Sequence, residues 1–413
     1  MEAILSVQTP IVFDESIAHY EIHAHQPYTS LNFNNSDERR ISIQHQDLCL
    51  LPSKSSLHIC GKIKKSDNTN VSATKLVNNA ICHLFDEIRY EINAIEIDKC
   101  KNVGITSVIK GYVSYSSNQS KLLDNAGWLD VEETAKIIDA NGQFDVSIPL
   151  SMILGFAEDY HKIVVNVKHE LILTRSRNDI NAIIQTAPAA GTSAEEYKFE
   201  LTRIEWMMPY VAMSDKRKIQ LFSHIKKDIP IAMSFRSWEL YEYPMLPASS
   251  RHIWTVKTSN QLEKLRFVIL AFQTNRKGIA LKNASQFDHC KIANVKLFLN
   301  SQYYPYGNLN LGIEQNQYAL LYEMFIPFQN AYYENKDLPS DLLVSKSDFI
   351  KYTPFIVIDC SKQNESVKQA AVDVRIEFGT KEPIAPATTA YCLILHDRII
   401  QYNPISGDVK KLV

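Results

Sequence analysis

The 413-residue sequence predicts an all-β protein: two tandem eight-stranded jelly rolls with a few short helices in the connecting loops. Three observations predict it. Apolar and polar residues alternate with period two along most of the chain, the mark of half-buried strands. The connections between strands are long and uneven, which suits sandwiches rather than a parallel α/β sheet. One short pattern occurs twice, about two hundred residues apart, a single-domain length. The first copy is Cys82-His83-Leu84-Phe85-Asp86-Glu87-Ile88-Arg89-Tyr90-Glu91-Ile92-Asn93. The second is Phe287-Asp288-His289-Cys290-Lys291-Ile292-Ala293-Asn294-Val295-Lys296-Leu297-Phe298-Leu299-Asn300. In both, a polar approach carrying a His leads into an alternating strand that stops at an Asn, where the chain can turn.

Taken in order, Leu57, Ile59, Gly61 and Ile63 face one way, and Ser56, His58, Cys60, Lys62 and Lys64 the other. Ile88, Tyr90 and Ile92, then Ile95 and Ile97, mark the next strand region. Ile105, Val108, Ile109 and Tyr112 follow Gly104 at helical spacing. Asn141-Gly142 is a hairpin-turn signal leading into Phe144-Asp145-Val146-Ser147-Ile148. Val165, Val167, His169, Leu171 and Leu173 predict one strand. Tyr197, Phe199 and Leu201 predict another that runs into Ile204-Glu205-Trp206. Between them, residues 186–194 read as a mobile loop. Residues 214–227 predict a helix, with Asp215 near its start and Ile219, Leu221, Phe222 and Ile225 as its apolar positions. The domain boundary is expected there, dividing the chain into an N-terminal jelly roll (1–215) and a C-terminal one (216–413). Beyond it, Phe267-Val268-Ile269-Leu270-Ala271-Phe272 reads as a strand buried on both sides. Val295, Leu297 and Leu299 alternate, as do Val372, Val374, Ile376 and Phe378. The last strand is expected over 390–400, closed by a Tyr402-Asn403-Pro404 turn.

Composition bounds the function. A hydrophobic fraction of 45% with 22% charged residues fits a soluble globular chain of about two domains. The formal net charge is -2 and no basic stripe appears, which argues against direct sequence-specific nucleic-acid contact and against charge-driven lipid binding. Lys62, Lys64 and Lys65, the densest basic group, read as a solvated strand end. The seven cysteines (Cys49, Cys60, Cys82, Cys100, Cys290, Cys360, Cys392) are odd in number and lack a C-x-x-C pair, which predicts buried thiols in a reducing compartment. Met1-Glu2-Ala3-Ile4-Leu5 lacks the features of a signal peptide, and no stretch is long enough to span a bilayer. The sequons at Asn34, Asn70, Asn118, Asn283 and Asn364 are read as chance.

Candidate chemistry is sparse. His19, His23 and His25 share a strand face with Glu21. That row could bind a metal, but it reads first as a polar N-terminal arm near a trimer contact. His169-Glu170-Leu171-Ile172-Leu173 opens like a zincin motif but has no second His four residues on. His83 and His289 recur with the repeated pattern, so a shared structural role, a hydrogen bond closing a turn, is expected of both. Cys360 lies between Asp359 and Ser361 with no basic partner identifiable, which argues against a nucleophile. No phosphate-binding Gly-rich loop occurs. Catalytic, metal and cofactor-binding residues are therefore assigned to none, and no cofactor is expected. Phe235, Trp238, Tyr241 and Tyr243 form an aromatic cluster before Pro244. Core packing, a subunit interface and a sugar-binding platform all remain open for it.

Leu76-Val77-Asn78-Asn79-Ala80-Ile81-Cys82-His83-Leu84-Phe85, followed by Ile88-Arg89-Tyr90-Glu91-Ile92-Asn93, resembles a motif of double jelly-roll major capsid proteins, specifically those of Polinton (Maverick) elements and adintoviruses. Further stretches resemble the family in the same order. They are Tyr112-Val113-Ser114-Tyr115 before Asp124-Asn125-Ala126-Gly127-Trp128, and then Asp145-Val146-Ser147-Ile148-Pro149-Leu150. In the second half they are the repeat with Tyr303-Tyr304-Pro305, then Asp348-Phe349, then Pro354-Phe355-Ile356-Val357-Ile358-Asp359-Cys360-Ser361. The Gly that the family has after Leu-Asn is Ala94 in the first copy and Ser301 in the second. The resemblance implies a non-enzymatic shell protein. Two jelly rolls would stand side by side, three chains would form a homotrimer of pseudo-sixfold shape, and trimers would tile an icosahedral lattice beside penton or minor capsid proteins. It implies a place in the virion, assembled inside the host cell in cytoplasm or nucleus. The rival expectations are a carbohydrate- or receptor-binding β-sandwich and a cupin-type enzyme using the N-terminal histidines.

Overall fold

The computed structural model describes residues 16–28, 33–44, 49–129, 137–188, 193–257, 264–300, 302–333, 341–362 and 372–412. Residues 1–5, Ser301, the sequon at Asn364 and the centre of the 186–194 loop lie outside them.

The first half carries β1 (Ile17–His25), β2 (Glu38–Ile43), β3 (Cys49–Leu50), β4 (Ser56–Lys64), β5 (Thr74–Leu76), β6 (Phe85–Ile92), β7 (Ile95–Lys101), β8 (Gln143–Pro149), β9 (His169–Arg175), β10 (Ile183–Gln185) and β11 (Lys198–Met213). One sheet runs β1-β11-β4-β8, with β3 also on β11, and a second runs β2-β9-β6-β7. They face each other through contacts such as Tyr90 edge-on to Trp206 at 6.2 Å. β5 and β10 pair separately.

The second half carries β12 (Ile231–Tyr243), β13 (Arg251–Val256), β14 (Leu265–Thr274), β15 (Ile292–Leu299), β16 (Gln302–Tyr304), β17 (Ile356–Asp359), β18 (Val374–Thr380), β19 (Thr388–Tyr402) and β20 (Val409–Lys411). Its sheets are β12-β19-β14-β17, extended by β20 on β19, and β13-β18-β15-β16. Phe272 meets Phe378 between them at 5.2 Å. Strand for strand, the order β1-β11-β4-β8 is repeated by β12-β19-β14-β17, and β2-β9-β6-β7 by β13-β18-β15-β16.

The repeated sequence pattern falls on equivalent strands, β6 and β15, each second from the edge of its sheet. The Asn that ends each copy makes the turn. Asn93 and Ala94 hold φ of 49° and 63° between β6 and β7, and Asn300 holds φ of 54° between β15 and β16. That is the left-handed backbone of a tight two-residue hairpin, which Asn tolerates better than most residues.

Local patterning explains the other strands. Leu57, Ile59 and Ile63 of β4 are wholly buried while their neighbours are half-exposed. On β11 the inward set is Phe199, then Ile204, Trp206 and Met208. The register shift between Leu201 and Arg203 is a bulge that keeps Ile204 on the core side. β14 is buried almost throughout, since one face meets the sandwich core and Phe328 covers the other at 4.7 Å from Phe267.

The helices are α1 (Val103–Ser114), α2 (Ser117–Leu122), α3 (Leu150–Ile153), α4 (Gly155–Asp159), α5 (Asp215–Ile225), α6 (Ala319–Phe325), α7 (Pro327–Tyr332) and α8 (Lys346–Tyr352). Every residue of α1 is buried. Gly104 is needed there, because a Cβ would come within 2.2 Å of the His83 ring.

Several expectations need correction. The strand expected from Val165 begins at His169, because Asn166 turns the backbone left-handed with φ 54°. The Asn141-Gly142 turn exists, but β8 pairs with β4 rather than with a strand just before the turn. The strand expected over 390–400 is not the last, since β19 is followed by β20, which pairs back onto it. The strand expected around His19, Glu21, His23 and His25 is present as edge strand β1, paired with β11 from Ile17 to His25. On α5, Ile219 and Phe222 are 68% and 55% exposed, so its apolar positions do not all face the core.

Candidate functional site at the junction and on the outer faces

The junction between the two halves is a continuous polar and aromatic seam. α4 lies directly on β12. A Cβ on Gly155 would sit 1.7 Å from the backbone oxygen of Arg236, so only glycine allows the approach. Asp159 takes both prongs of the Arg236 guanidinium, Nη2 to Oδ1 at 2.6 Å and Nε to Oδ2 at 2.8 Å. Arg236 also lies over the Tyr332 ring at 3.9 Å. Burial alone would raise the Asp159 carboxyl, but Arg236 outweighs it and holds the group below the usual range. Beside it, Glu158 accepts from the Tyr332 hydroxyl at 2.7 Å and pairs with the buried Lys110 at 2.6 Å. A cleft of about 560 Å³ opens next to this cluster.

Deeper in the seam, Ser237 donates to Asp98 at 2.6 Å. Arg398 donates to Glu239 at 2.8 Å and to the carbonyl oxygen of Ile97 at 3.1 Å. Burial pushes the Glu239 carboxyl up, but His396, Tyr241 and Arg398 together hold it well below the ordinary value. Phe156 packs edge-on to Phe235 at 5.2 Å and stacks on Tyr90 at 5.1 Å. At the far end, Ser285 donates to the carbonyl oxygen of Asn78 at 2.6 Å and lies 3.1 Å from His83 Nε2. These groups are spent on one another across the seam, so the chemistry they supply is mechanical fixation.

The residues singled out in the sequence fall as follows. His289 Nδ1 accepts from the backbone of Lys291 at 3.1 Å and closes a turn, as expected. His83 does not. It is buried and reaches across to Ser285, because the repeat places it at the seam. Of the aromatic cluster, Phe235 and Trp238 are core, with Trp238 packed on Phe328 and Tyr332, while Tyr241 and Tyr243 are half-buried. The N-terminal histidines do not converge. His19 and His23 bind separate oxygens of Glu21 at 3.0 and 2.6 Å, and His25 lies 2.9 Å from the Tyr210 hydroxyl. Cys360 is buried and donates to the Ile358 carbonyl oxygen. All seven cysteines are free thiols. Among the described residues no helix is long and apolar enough to cross a membrane.

Sequence reasoning missed two features. One is the seam itself, whose partners are far apart in the chain. The other lies on the outer face of the first sheet, where His58, Cys60 and Asp145 bring donor atoms together within 4.8 Å of one another. The visible signal was His58-x-Cys60, two ligand-type residues on one face of a strand. Burial and the bond to Asp145 push the Cys60 thiol up to about 11.

Solved structures share this architecture. The Faustovirus major capsid protein aligns with a TM-score of 0.60 at 8% identity, over 97% of this chain and 94% of its own. The PBCV-1 virus capsid model aligns at 0.59 and 9%, over 98% and 100%. The mavirus major capsid protein aligns at 0.55 and 10%, over 100% and 93%. At such identities the likeness is one of fold. No curated protein matches the chain in sequence. Residues 74–400 match the model of the double jelly roll-like domain, so the chain belongs to the double jelly roll-like family.

Proposed function

We propose that this chain is a non-enzymatic major capsid protein that forms homotrimers of pseudo-sixfold outline, and that these trimers tile an icosahedral shell. The observation that carries the reading is the repeated strand order of two sandwiches locked side by side along a buried seam. One chain thereby presents two like blocks, and three chains present six. The reading divides the chain at 215/216, between β11 and the body of α5. Capsid proteins of the same fold lend it support, and the ordered motifs from Leu76 to Ser361 favour a Polinton- or adintovirus-like virus or endogenous element. Penton and minor capsid proteins would be its partners, and the virion, assembled inside the host cell, its place.

Self-association needs exposed complementary surface. Ile17, Tyr20 and Ile22 on β1, Ile219 and Phe222 on α5, and Ile405 are all exposed. Ile17 is in register with Met213, which with Phe222 and Ile405 lines one groove. This zone is assigned to contact with a second copy.

The test is light scattering after gel filtration, with negative-stain imaging, on the full chain expressed alone. Trimers of the 47.2 kDa chain, or closed particles, are the expected result. A monomer at every concentration overturns the reading and favours a carbohydrate- or receptor-binding sandwich.

A further inference from the structure

On the outer face of the first sheet, three neighbouring strands bring a nitrogen, a sulfur and two carboxylates together. Cys60 and Asp145 are direct cross-strand partners on β4 and β8, and His58 is the partner of Glu205 on β11. His58 Nε2 lies 2.7 Å from Asp145 Oδ1 and 3.4 Å from Cys60 Sγ, and Cys60 Sγ lies 3.4 Å from Asp145 Oδ1. On the other side of the ring, Nδ1 lies 3.3 Å from Glu205 Oε2. Glu205 is itself held by Gln26, which donates to Oε1 at 2.8 Å.

We propose that His58 Nε2, Cys60 Sγ and Asp145 Oδ1 form a zinc site of three protein ligands and one solvent position. Two independent features support it. The first is spacing. Tetrahedral zinc with ordinary bond lengths puts N and S, or S and O, about 3.5 Å apart. Two of the three edges already have that length, and only the edge between His58 and Asp145 must open. The second is the orientation of the imidazole. Nδ1 faces Glu205 at 3.3 Å while Nε2 faces Asp145 at 2.7 Å, so with the Nδ1 proton shared with Glu205 the Nε2 lone pair points into the site. A metal ion there takes the place of the proton that otherwise joins Nε2 to Asp145 Oδ1. A carboxylate behind a ligating histidine is also the usual outer support of a metal-bound imidazole. The mixed N, S, O donor set suits zinc better than magnesium or calcium, which take oxygen ligands.

The backbone of this site belongs to ladder strands and needs no rearrangement. Asp145 is 72% exposed on its side-chain surface, so the metal has an open path from solvent.

The test uses the purified full chain, loaded with zinc or cobalt and separated from free metal by gel filtration. One zinc per chain is expected, and with cobalt a thiolate-to-metal charge-transfer band. Cys60→Ser should abolish that band, and His58→Ala should weaken binding at least tenfold. Glu205→Gln should keep the stoichiometry while weakening binding about tenfold, since it acts through His58. Asp145→Asn, at an exposed position, gives a ligand variant whose fold is easily verified by circular dichroism. His23→Ala should leave uptake unchanged. No saturable uptake, uptake indifferent to Cys60→Ser and His58→Ala, or loss of uptake in His23→Ala would each overturn the proposal.

Discussion

Arg236 of the second half and Asp159 of the first form a two-pronged ion pair across the seam, with both contacts under 3 Å. The pair is mostly shielded from water, so each charge depends on the other. Asp159→Ala leaves the guanidinium without its carboxylate partner and should cost about 3 kcal/mol. The urea midpoint should fall accordingly. Because the folded carboxyl is held below its ordinary value, this contribution is complete above about pH 4 and is lost as the pH drops further.

Gly155→Ala should be worse than its size suggests. The added methyl meets a backbone oxygen rather than a movable side chain. α4 would have to lift off β12, opening the seam and exposing Phe156 and Phe235. A loss of several kcal/mol is expected. Limited proteolysis should also show new cleavage near the seam.

Acid should weaken the fold from about pH 6.5 downward. Burial depresses His83 to about 4 and His169 to about 3, so both stay neutral in the folded chain. Below 6.5 the unfolded chain gains protons that the folded chain refuses, and stability falls until those lower values are reached. His83 alone accounts for up to about 3 kcal/mol at 1.36 kcal/mol per pH unit. His83→Gln should remove its share of the slope when unfolding free energy is measured between pH 6.5 and 4.

Phe222→Glu and Ile405→Asp change exposed residues and should leave monomer stability within about 0.5 kcal/mol. If these residues meet a second copy, both variants should shift the protein from trimer to monomer in light scattering. Unchanged trimers would assign the contact elsewhere.

Much of the architecture was legible because it is local. The repeat exposed equivalent strands β6 and β15, and its terminal Asn residues revealed the hairpins, since left-handed backbone selects that residue type. The apolar run in β14 announced a central strand. What stayed hidden depends on pairing at a distance. Asp159 and Arg236 are unremarkable in sequence, and each gains meaning only from the other. His58 and Cys60 were legible as an outward-facing pair, but Asp145 joins them only through the β4–β8 register. Val165 and Val167 kept the alternation of β9 going past its end, because alternation does not register a backbone turn at Asn166. His83 looked like His289 because the motif repeats, but only one copy meets the seam.

The hairpin of β19 and β20 reaches back over the first half. Asn93 donates to the carbonyl oxygen of Gly407 at 2.7 Å and Asn166 to that of Pro404 at 2.6 Å. The end of the second sandwich thus clasps the rim of the first, a second attachment besides the Gly155–Arg236 contact. Fastened at both places, the two halves are held against turning about either contact alone. If the proposed shell forms, its curvature is expected to arise where one copy meets the next.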